Sequence, residues 1–240
     1  MYAVLSDVHA NLEALESVLD DIGRRGIREM LFLGDATGYG PDPDRCVSLL
    51  REKCGLLIAG NHDWGVCGLT DINNFNENAK AAILWTRRVM QAEHLAMLGS
   101  LPVRAELREK DITLVHSTPW ETEKWHYLLY LGDAELNFRH FDTRVCFIGH
   151  SHSPVIIERN ASGEVTSHRK EASMARGSRF IINAGSVGQP RDGDPRACYA
   201  LVDDGSVEFV RVPYRVEITQ EKMARAGLPL FLRERLAAGR

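Results

Sequence analysis

Histidine, aspartate and asparagine recur in this sequence where short apolar runs stop. Asp7 and His9 follow "YAVL", Asp35 follows "MLFLG", Asn61 and His62 follow "LLIAG", His116 follows "ITLV", and His150 and His152 follow "VCFIG". Taken singly, each has an ordinary structural use: an aspartate caps a helix, an asparagine closes a turn, a histidine packs beside a strand. Those uses are independent of one another, so they leave the repetition unexplained. Metal coordination accounts for it. Imidazole nitrogen and carboxylate oxygen together suit manganese, iron or zinc better than calcium or magnesium, and the absence of cysteine from these turns argues against a structural zinc site. Asp35 is a candidate bridge between two cations. Only Asp7 and Asp35 among the seven potential ligands bring charge, so a two-metal centre stays electropositive. It would draw in a phosphate and activate a water between ions about 3.5–4 Å apart.

Such residues meet only if the chain lines up its strand ends, as open α/β sheets do at the carboxyl edge of their strands. The pattern is strand then helix: "YAVLSD" leads into "NLEALESVLDDIGRRG", where Leu12, Leu15, Val18, Leu19 and Ile22 share one helical face. "EMLFLGD" leads through a turn-rich stretch into a helix at "RCVSLLREK", and "GLLIAGNHD" precedes a helix at "NENAKAAILWTRRVMQ". Strands follow at "ITLVHS", "VCFIGHSHSP" with "PVIIER", "RFIINAGS", "ACYALVDD" and "VEFVRVPY", the last two joined by a hairpin at "DDG". "LPLFLRERLAAGR" reads as a terminal helix. The first half is expected to form a parallel α/β layer and the second half a more antiparallel one. No repeat or linker marks a boundary, so residues 1–240 are expected to form a single domain.

Composition narrows the partners. With 240 residues and 44% hydrophobic content, the chain can bury one substantial core. Its 29 basic and 33 acidic residues give a net charge of −4. That balance argues against a broad polyanion-binding face, so strong nucleic-acid binding is not expected and any phosphate chemistry must be local. Five cysteines form no CxxC pair and are odd in number, which fits a reducing compartment. No basic leader or membrane-length apolar run is present in the sequence, and the expectation is a cytoplasmic protein without membrane contact.

The segments "SDVHAN", "GDATGYG", "GNHD", "VHS", "GHSHSP" and "NAGSVGQPRDGDPRA" resemble, in order, the successive motifs of the calcineurin-like metallophosphoesterases. More narrowly they are similar to the bacterial branch related to diadenosine tetraphosphatases and protein phosphatases. The resemblance runs from Asp7 to about Tyr199. It implies an α/β fold, a four-layer α-β-β-α sandwich of two mixed sheets. It also implies hydrolysis of phosphate esters by metal-activated hydroxide at two divalent transition-metal ions, Mn, Fe or Zn, with manganese expected to be the activating one. Carried over by position, Asp7, His9, Asp35 and His152 hold one metal, and Asp35, Asn61, His116 and His150 hold the other. His62 is implied to bind phosphate and protonate the leaving oxygen, which an imidazole titrating near neutrality can do.

The sequence also departs from the protein-phosphatase pattern. There the segment after the bridging aspartate resembles "GDxxDRG", whose second aspartate orients the catalytic histidine and whose arginine grips phosphate. Gly38 and Tyr39 stand in those places, which leaves Asp63 or a backbone carbonyl to orient His62. Arg191 in the late glycine-rich turn is a candidate phosphate contact. Residues 117–144 hold Trp120, Trp125, His126, Tyr127 and Tyr130 without a strand pattern. They read either as a cap whose aromatics stack on a flat group, or as rings anchoring an insertion. The expected substrates are small phosphodiesters or nucleotides. The alternatives are a phosphomonoesterase or protein phosphatase, a dinucleoside tetraphosphatase, a nuclease, and a metal-binding scaffold without activity.

Overall fold

The computed structural model describes all of residues 1–240. The chain begins with β1 (Tyr2–Leu5), α1 (Leu12–Arg24), β2 (Met30–Phe32), α2 (Pro43–Lys53) and β3 (Leu56–Leu57), followed by helices α3 (Asn61–Cys67), α4 (Glu77–Val89) and α5 (Ala92–Gly99). Strands β4 (Arg104–Leu107) and β5 (Ile112–Val115) precede a short helix α6 (Ala134–Phe138). Then come β6 (Val145–Ile148), β7 (Val155–Arg159), β8 (Val165–His168), β9 (Glu171–Ser173), β10 (Arg179–Asn183), β11 (Ala197–Val202) and β12 (Ser206–Val212). Helices α7 (Val216–Arg225) and α8 (Leu230–Ala238) end the chain. No helix is long and apolar enough to cross a membrane.

Two six-stranded sheets form, ordered β3-β2-β1-β11-β12-β9 and β4-β5-β6-β10-β7-β8. Alternation along each strand sets the layers, because successive side chains leave opposite faces. In β1, Ala3 and Leu5 join Leu15 and Val18 of α1 and Leu50 of α2, while Val4 joins Leu114, Phe147 and Phe180 of the other sheet. In β6, Phe147 points between the sheets, and Cys146 and Ile148 point outward to Phe138 of α6. The result is the four-layer α-β-β-α sandwich that the sequence motifs implied.

The expected division into a parallel half and an antiparallel half is corrected by the pairing. β1, β2 and β3 run parallel, but β11 lies antiparallel on the free edge of β1 with Val4 opposite Ala200. In the second sheet β5, β6 and β10 are parallel, with β4 antiparallel on β5, β7 antiparallel on β10 and β8 antiparallel on β7. Each sheet is therefore mixed. A strand has two edges, and which distant segment takes the second one is settled by burial, not by local pattern. The "DDG" hairpin forms as expected, with Asp203 Oδ1 accepting from the Gly205 and Ser206 N–H groups at 2.9 and 2.7 Å.

Candidate metal centre

Beyond the last strand residues the chain stays paired. The Asp7 N–H donates to the Gly34 carbonyl at 3.0 Å, the His9 N–H to that of Asp35 at 2.9 Å, and the Gly149 N–H to that of His116 at 2.8 Å. The turns are sharp. Asp7, His9, Asp35, His150 and His152 all take the left-handed backbone, with φ of 54°, 49°, 58°, 64° and 59°, which costs a non-glycine residue on the order of 1–3 kcal/mol. Five such residues around one point are over-determined by the surrounding pairing. Gly149 allows the closest approach: a Cβ there would meet Ser6 Oγ at 2.0 Å and Asp7 Oδ2 at 2.6 Å.

Each of the four outer histidines is pinned through one ring nitrogen. His9 Nδ1 lies 2.9 Å from the Thr37 carbonyl, His116 Nδ1 2.9 Å from Leu33, His152 Nδ1 2.6 Å from Gln189, and His150 Nε2 3.0 Å from Trp125. A carbonyl only accepts, so these nitrogens carry the proton, and the opposite nitrogen of a neutral ring presents a lone pair. His9 Nε2 and His152 Nε2 are 3.1 Å apart. With both protons committed elsewhere, that contact sets two lone pairs face to face, an arrangement that a cation between them stabilises.

The carboxylates complete the sets. Asp7 Oδ2 is occupied by the Ser6 hydroxyl and the His150 N–H, while Oδ1 lies 3.1 Å from His152 Nε2 and 3.6 Å from His9 Nε2. Asp35 Oδ1 accepts the His62 N–H at 2.8 Å, while Oδ2 lies 3.2 Å from His116 Nε2 and 3.7 Å from His9 Nε2. Ligand atoms about 2.0–2.2 Å from a shared ion sit at such separations from each other. Asp7 Oδ1, Asp35 Oδ2, Asn61 Oδ1 and His116 Nε2 are buried without a hydrogen-bond partner, a costly state that metal coordination relieves. Three tight clusters result, Asp7–His9–His152, Asp35–His116–His150 and His9–Asp35–His62. Asp35 is the carboxylate common to a cluster with His9 and the cluster with His116, while Asp7 Oδ1 stands 3.6 and 3.9 Å from the Nε2 atoms of the same two histidines, and this donor set fits two cations.

Electrostatics agree with that fit. Burial opposes charge on Asp7 and Asp35, but His152 and His116 hold Asp7 well below the usual carboxylate range, and His116 and His62 do the same for Asp35. Burial would lower His116, yet Asp35 and Asp7 raise it to about 9. Burial takes His150 down to about 3 and His152 to about 4, aided by His116 and Arg191 respectively. The carboxylates thus stay ionised and two of the imidazoles stay neutral, the states in which they bind metal.

His62 is buried in the same cluster, but Asp63 does not orient it. Asp63 accepts from the N–H groups of Gly60, Asp35, Ala36 and Thr37 at 3.2, 2.8, 3.3 and 3.1 Å and from the Thr37 hydroxyl at 2.9 Å. A carboxylate surrounded by donors is spent on the backbone, and so it braces the Asp35 turn. His62 Nδ1 has no partner at all. Packing orients the ring instead: Tyr39 lies 4.4 Å away, His9 4.8 Å and Phe75 5.1 Å by ring centroids, and a Cβ on Gly38 would sit 2.4 Å from Nδ1. We expect Asp63→Asn to put an amide N–H₂ against those backbone donors, destabilise the metal-free protein by about 1–3 kcal/mol and weaken metal binding about 10–100-fold. Thermal melts and a manganese titration check both; wild-type metal affinity in a destabilised variant would show that Asp63 does not act through Asp35.

Arg191 is brought to this wall as well. Its N–H donates to the His152 carbonyl at 3.2 Å, and its Nη2 donates to the Tyr39 hydroxyl at 3.3 Å and Gln189 Oε1 at 3.1 Å. Residues 1–205 match the family model described as the calcineurin-like phosphoesterase superfamily domain. The chain belongs to the calcineurin-like phosphoesterase superfamily. This superfamily is dinuclear-metal dependent, and the clusters above are the chain's groups that could hold the metals.

Among relatives of this phosphoesterase-family chain, the uncharacterized protein MJ0912 of Methanocaldococcus jannaschii is 41% identical over 246 residues, spanning 100% of this chain and 98% of that one. The crystal structure of a metallophosphoesterase from Sphaerobacter thermophilus is 45% identical, with a TM-score of 0.88 over 100% of this chain and 98% of that chain. A shorter stretch of 72 residues, 25% of this chain and 29% of the other, is 35% identical to the asymmetrical bis(5'-nucleosyl)-tetraphosphatase PrpE of Oceanobacillus iheyensis.

Within this family member the aromatic residues of 117–144 divide. Trp125 sits in contact range of Trp64 and His116, its ring centroid 5.3 and 6.1 Å from theirs, and its carbonyl pins His150; Tyr127 stacks on His150 at 4.0 Å. Trp120 and His126 stack on each other at 4.7 Å, and Tyr130 is exposed. Sequence reasoning missed the bracing carbonyls of Leu33, Thr37, Trp125 and Gln189, which no side-chain pattern marks. It also missed Tyr39 as a wall of the site. The remaining histidines lie elsewhere, His94 being held by Asp44 at 2.6 Å and His168 by Glu158 at 3.3 Å.

Proposed function

We propose that the protein hydrolyses phosphate esters, small phosphodiesters or nucleotides in preference to phosphoproteins. Asp7, His9, Asp35 and His152 hold one divalent transition-metal ion in this reading, and Asp35, Asn61, His116 and His150 hold the other, with manganese the activating ion. The observation that carries it is the convergence of four carbonyl-pinned imidazoles on the partnerless oxygens of Asp7, Asp35 and Asn61. Bound there, two cations supply an activated water and neutralise phosphate charge. The chain's own residues do the rest. Asp7 and Asp35 stay ionised, the carbonyls keep the ligand nitrogens aimed, and His62 faces the phosphate. Burial holds His62 well below its ordinary pKa, and an anion bound beside it works in the opposite direction, toward the protonated form that a leaving oxygen needs.

The substrate preference rests on the cleft beside this centre. It measures about 520 Å³ and is lined by Tyr39, His62, Phe75, Trp125, Tyr127 and His150 among others. Aromatic walls suit a flat group. We treat 1–240 as one domain in which 117–144 acts as a cap, because Trp125 and Tyr127 bring that segment to the cleft. With manganese, kcat/KM should be higher for a bis-aryl phosphodiester or a dinucleoside tetraphosphate than for a phosphothreonine peptide. Tyr127→Ala should cost the two flat substrates on the order of tenfold. A phosphopeptide that is the best of the three overturns the substrate class, and no turnover of any of them by the manganese-loaded protein favours a scaffold.

A further inference from the structure

Tyr39 carries a hydroxyl that its packing does not need. The residue sits between two glycines in the left-handed backbone, at φ 56°, which costs a bulky side chain on the order of 1–3 kcal/mol. Its neighbours hold it there. The Gly40 N–H donates to the His9 carbonyl at 2.9 Å, and a Cβ on Gly40 would stand 2.4 Å from that oxygen. The turn sets the Tyr39 ring against two histidines of the centre, 4.5 Å from His9 and 4.4 Å from His62 by ring centroids. A phenylalanine would fill that place equally well. What the tyrosine adds is a polar atom on a side chain that is only 5% exposed.

That hydroxyl has one partner. Arg191 Nη2 donates to it at 3.3 Å, and the guanidinium carbon lies 5.8 Å from the ring centroid. A guanidinium only donates, so the phenol oxygen is the acceptor there and its own proton is left without an acceptor in the protein. Asp192 and Asp194, in the same loop as Arg191, are paired with Arg211 and Arg196, which leaves Arg191 the neutral oxygens of Tyr39 and Gln189. A cation donating to the phenol oxygen polarises the O–H bond and makes it a stronger donor. A phenol keeps its proton at neutral pH. A buried O–H is costly until it meets an acceptor, and Tyr39 lines the 520 Å³ cleft together with Asn61, His62 and His150, whereas Arg191 does not.

We propose that the Tyr39 hydroxyl donates a hydrogen bond to a non-bridging oxygen of the phosphate bound at this centre, with Arg191 as a positioning residue that acts through it. This deepens the phosphoesterase reading above and rests on it. The donor is neutral, so it steadies the charge that grows on the oxygen during attack at phosphorus without adding a fixed charge to the cleft. Its proton stays on the phenol throughout.

The test is kcat/KM of the manganese-loaded protein for phosphodiesters that span leaving-group acidity. Tyr39→Phe should keep both metals and lower kcat/KM on the order of tenfold, by the same factor for every leaving group, because a non-bridging oxygen stays on phosphorus. Arg191→Gln should lower it by a smaller factor, and Arg191→Lys, which keeps a cation, by less again. Neither should cost anything further in the Tyr39→Phe background, a coupling that a packing role would not produce. An unchanged kcat/KM in Tyr39→Phe overturns the proposal and gives the hydroxyl to the small cavity of about 10 Å³ that Tyr39 also lines with Met223 and Leu236. A loss accompanied by lost metal assigns the effect to packing on His9, and additive losses at Tyr39 and Arg191 remove the arginine from the contact; either overturns it as stated. If the phenylalanine variant fails to fold, Arg191→Gln carries the test, and unchanged rates there overturn the proposal. Calorimetric titration with inorganic phosphate separates this contact from the wider reading. If wild type turns over no ester yet Tyr39→Phe weakens phosphate binding about tenfold, the phosphoesterase reading falls and the contact stands, whereas turnover with rates and phosphate binding unchanged in the variant sinks the contact alone.

Discussion

Asp35→Asn should lose hydrolysis to background and lose more bound metal than any other single ligand substitution, including His9→Ala. The geometry gives the reason. Asp35 Oδ2 faces both His9 Nε2, at 3.7 Å, and His116 Nε2, at 3.2 Å, and Asp35 is the carboxylate shared by a cluster with His9 and the cluster with His116, so its replacement touches both metal positions. An amide at that place turns an acceptor into a donor aimed at the His116 lone pair. The pairing of Oδ1 with the His62 N–H at 2.8 Å survives in the asparagine, which keeps the turn in shape. The variant should therefore fold. In the absence of metal its melting temperature should fall below that of wild type, because Asp35 and the raised His116 form a buried pair and the substitution removes one partner. Adding manganese at about 100 times the dissociation constant should raise wild-type stability by about 2.7 kcal/mol and leave the variant nearly unmoved. Elemental analysis and paired thermal melts measure all of this. Equal metal content in Asp35→Asn and His9→Ala would end the case for a bridging carboxylate.

His62→Asn should cost on the order of 10²–10⁴ in rate while both metals stay bound, because neither proposed ligand set, Asp7–His9–Asp35–His152 or Asp35–Asn61–His116–His150, includes His62. The loss should depend on the leaving group. A nitrophenolate departs without a proton and should show a small deficit; an alkoxide or nucleoside oxygen needs one and should show a large deficit. A plot of the rate ratio against leaving-group pKa decides between two roles for the same ring. A flat plot assigns His62 to holding phosphate, and a rising one to proton donation. Gly38→Ala provides a control on geometry, since its Cβ would press on Nδ1 at 2.4 Å; it should displace the ring without changing its chemistry and lower the rate for every leaving group alike.

Much of the candidate site was legible because each ligand sits directly after an apolar strand run, and strand ends of an α/β sheet share an edge. Asp7, His9, Asp35, Asn61, His62, His116, His150 and His152 could be picked out by that rule before any partner was known. The rule fails for groups that act through the main chain. The carbonyls of Leu33, Thr37, Trp125 and Gln189 fix which nitrogen of each histidine is free, and a carbonyl has no residue type. Asp63 was visible, but only as one of two candidates to orient His62, and its actual partners were not. Sequence adjacency to His62 suggested contact, whereas successive residues on helix α3 point in different directions and Asp63 turns back to the 35–37 backbone. Strands β4, β8 and β9 were missed for a related reason. They are edge or near-edge strands with partly exposed residues, and exposure removes the hydrophobic alternation that identifies a strand.

By itself, the sequence determined the elements that carry a buried face, the order of the ligands along the chain, and the kind of chemistry their atoms can do. These follow from side-chain type and local period, which act over a few residues. Only the tertiary structure decided which edge of β1 received β11, that Tyr39 and Gly38 rather than an aspartate shape the His62 pocket, and that α8 packs Leu232 and Leu236 in one cluster with Tyr39. Each of those depends on segments tens to nearly two hundred residues apart competing to bury surface against the same neighbour. No local pattern encodes the winner, because the free energy that selects it is a property of the assembled layers.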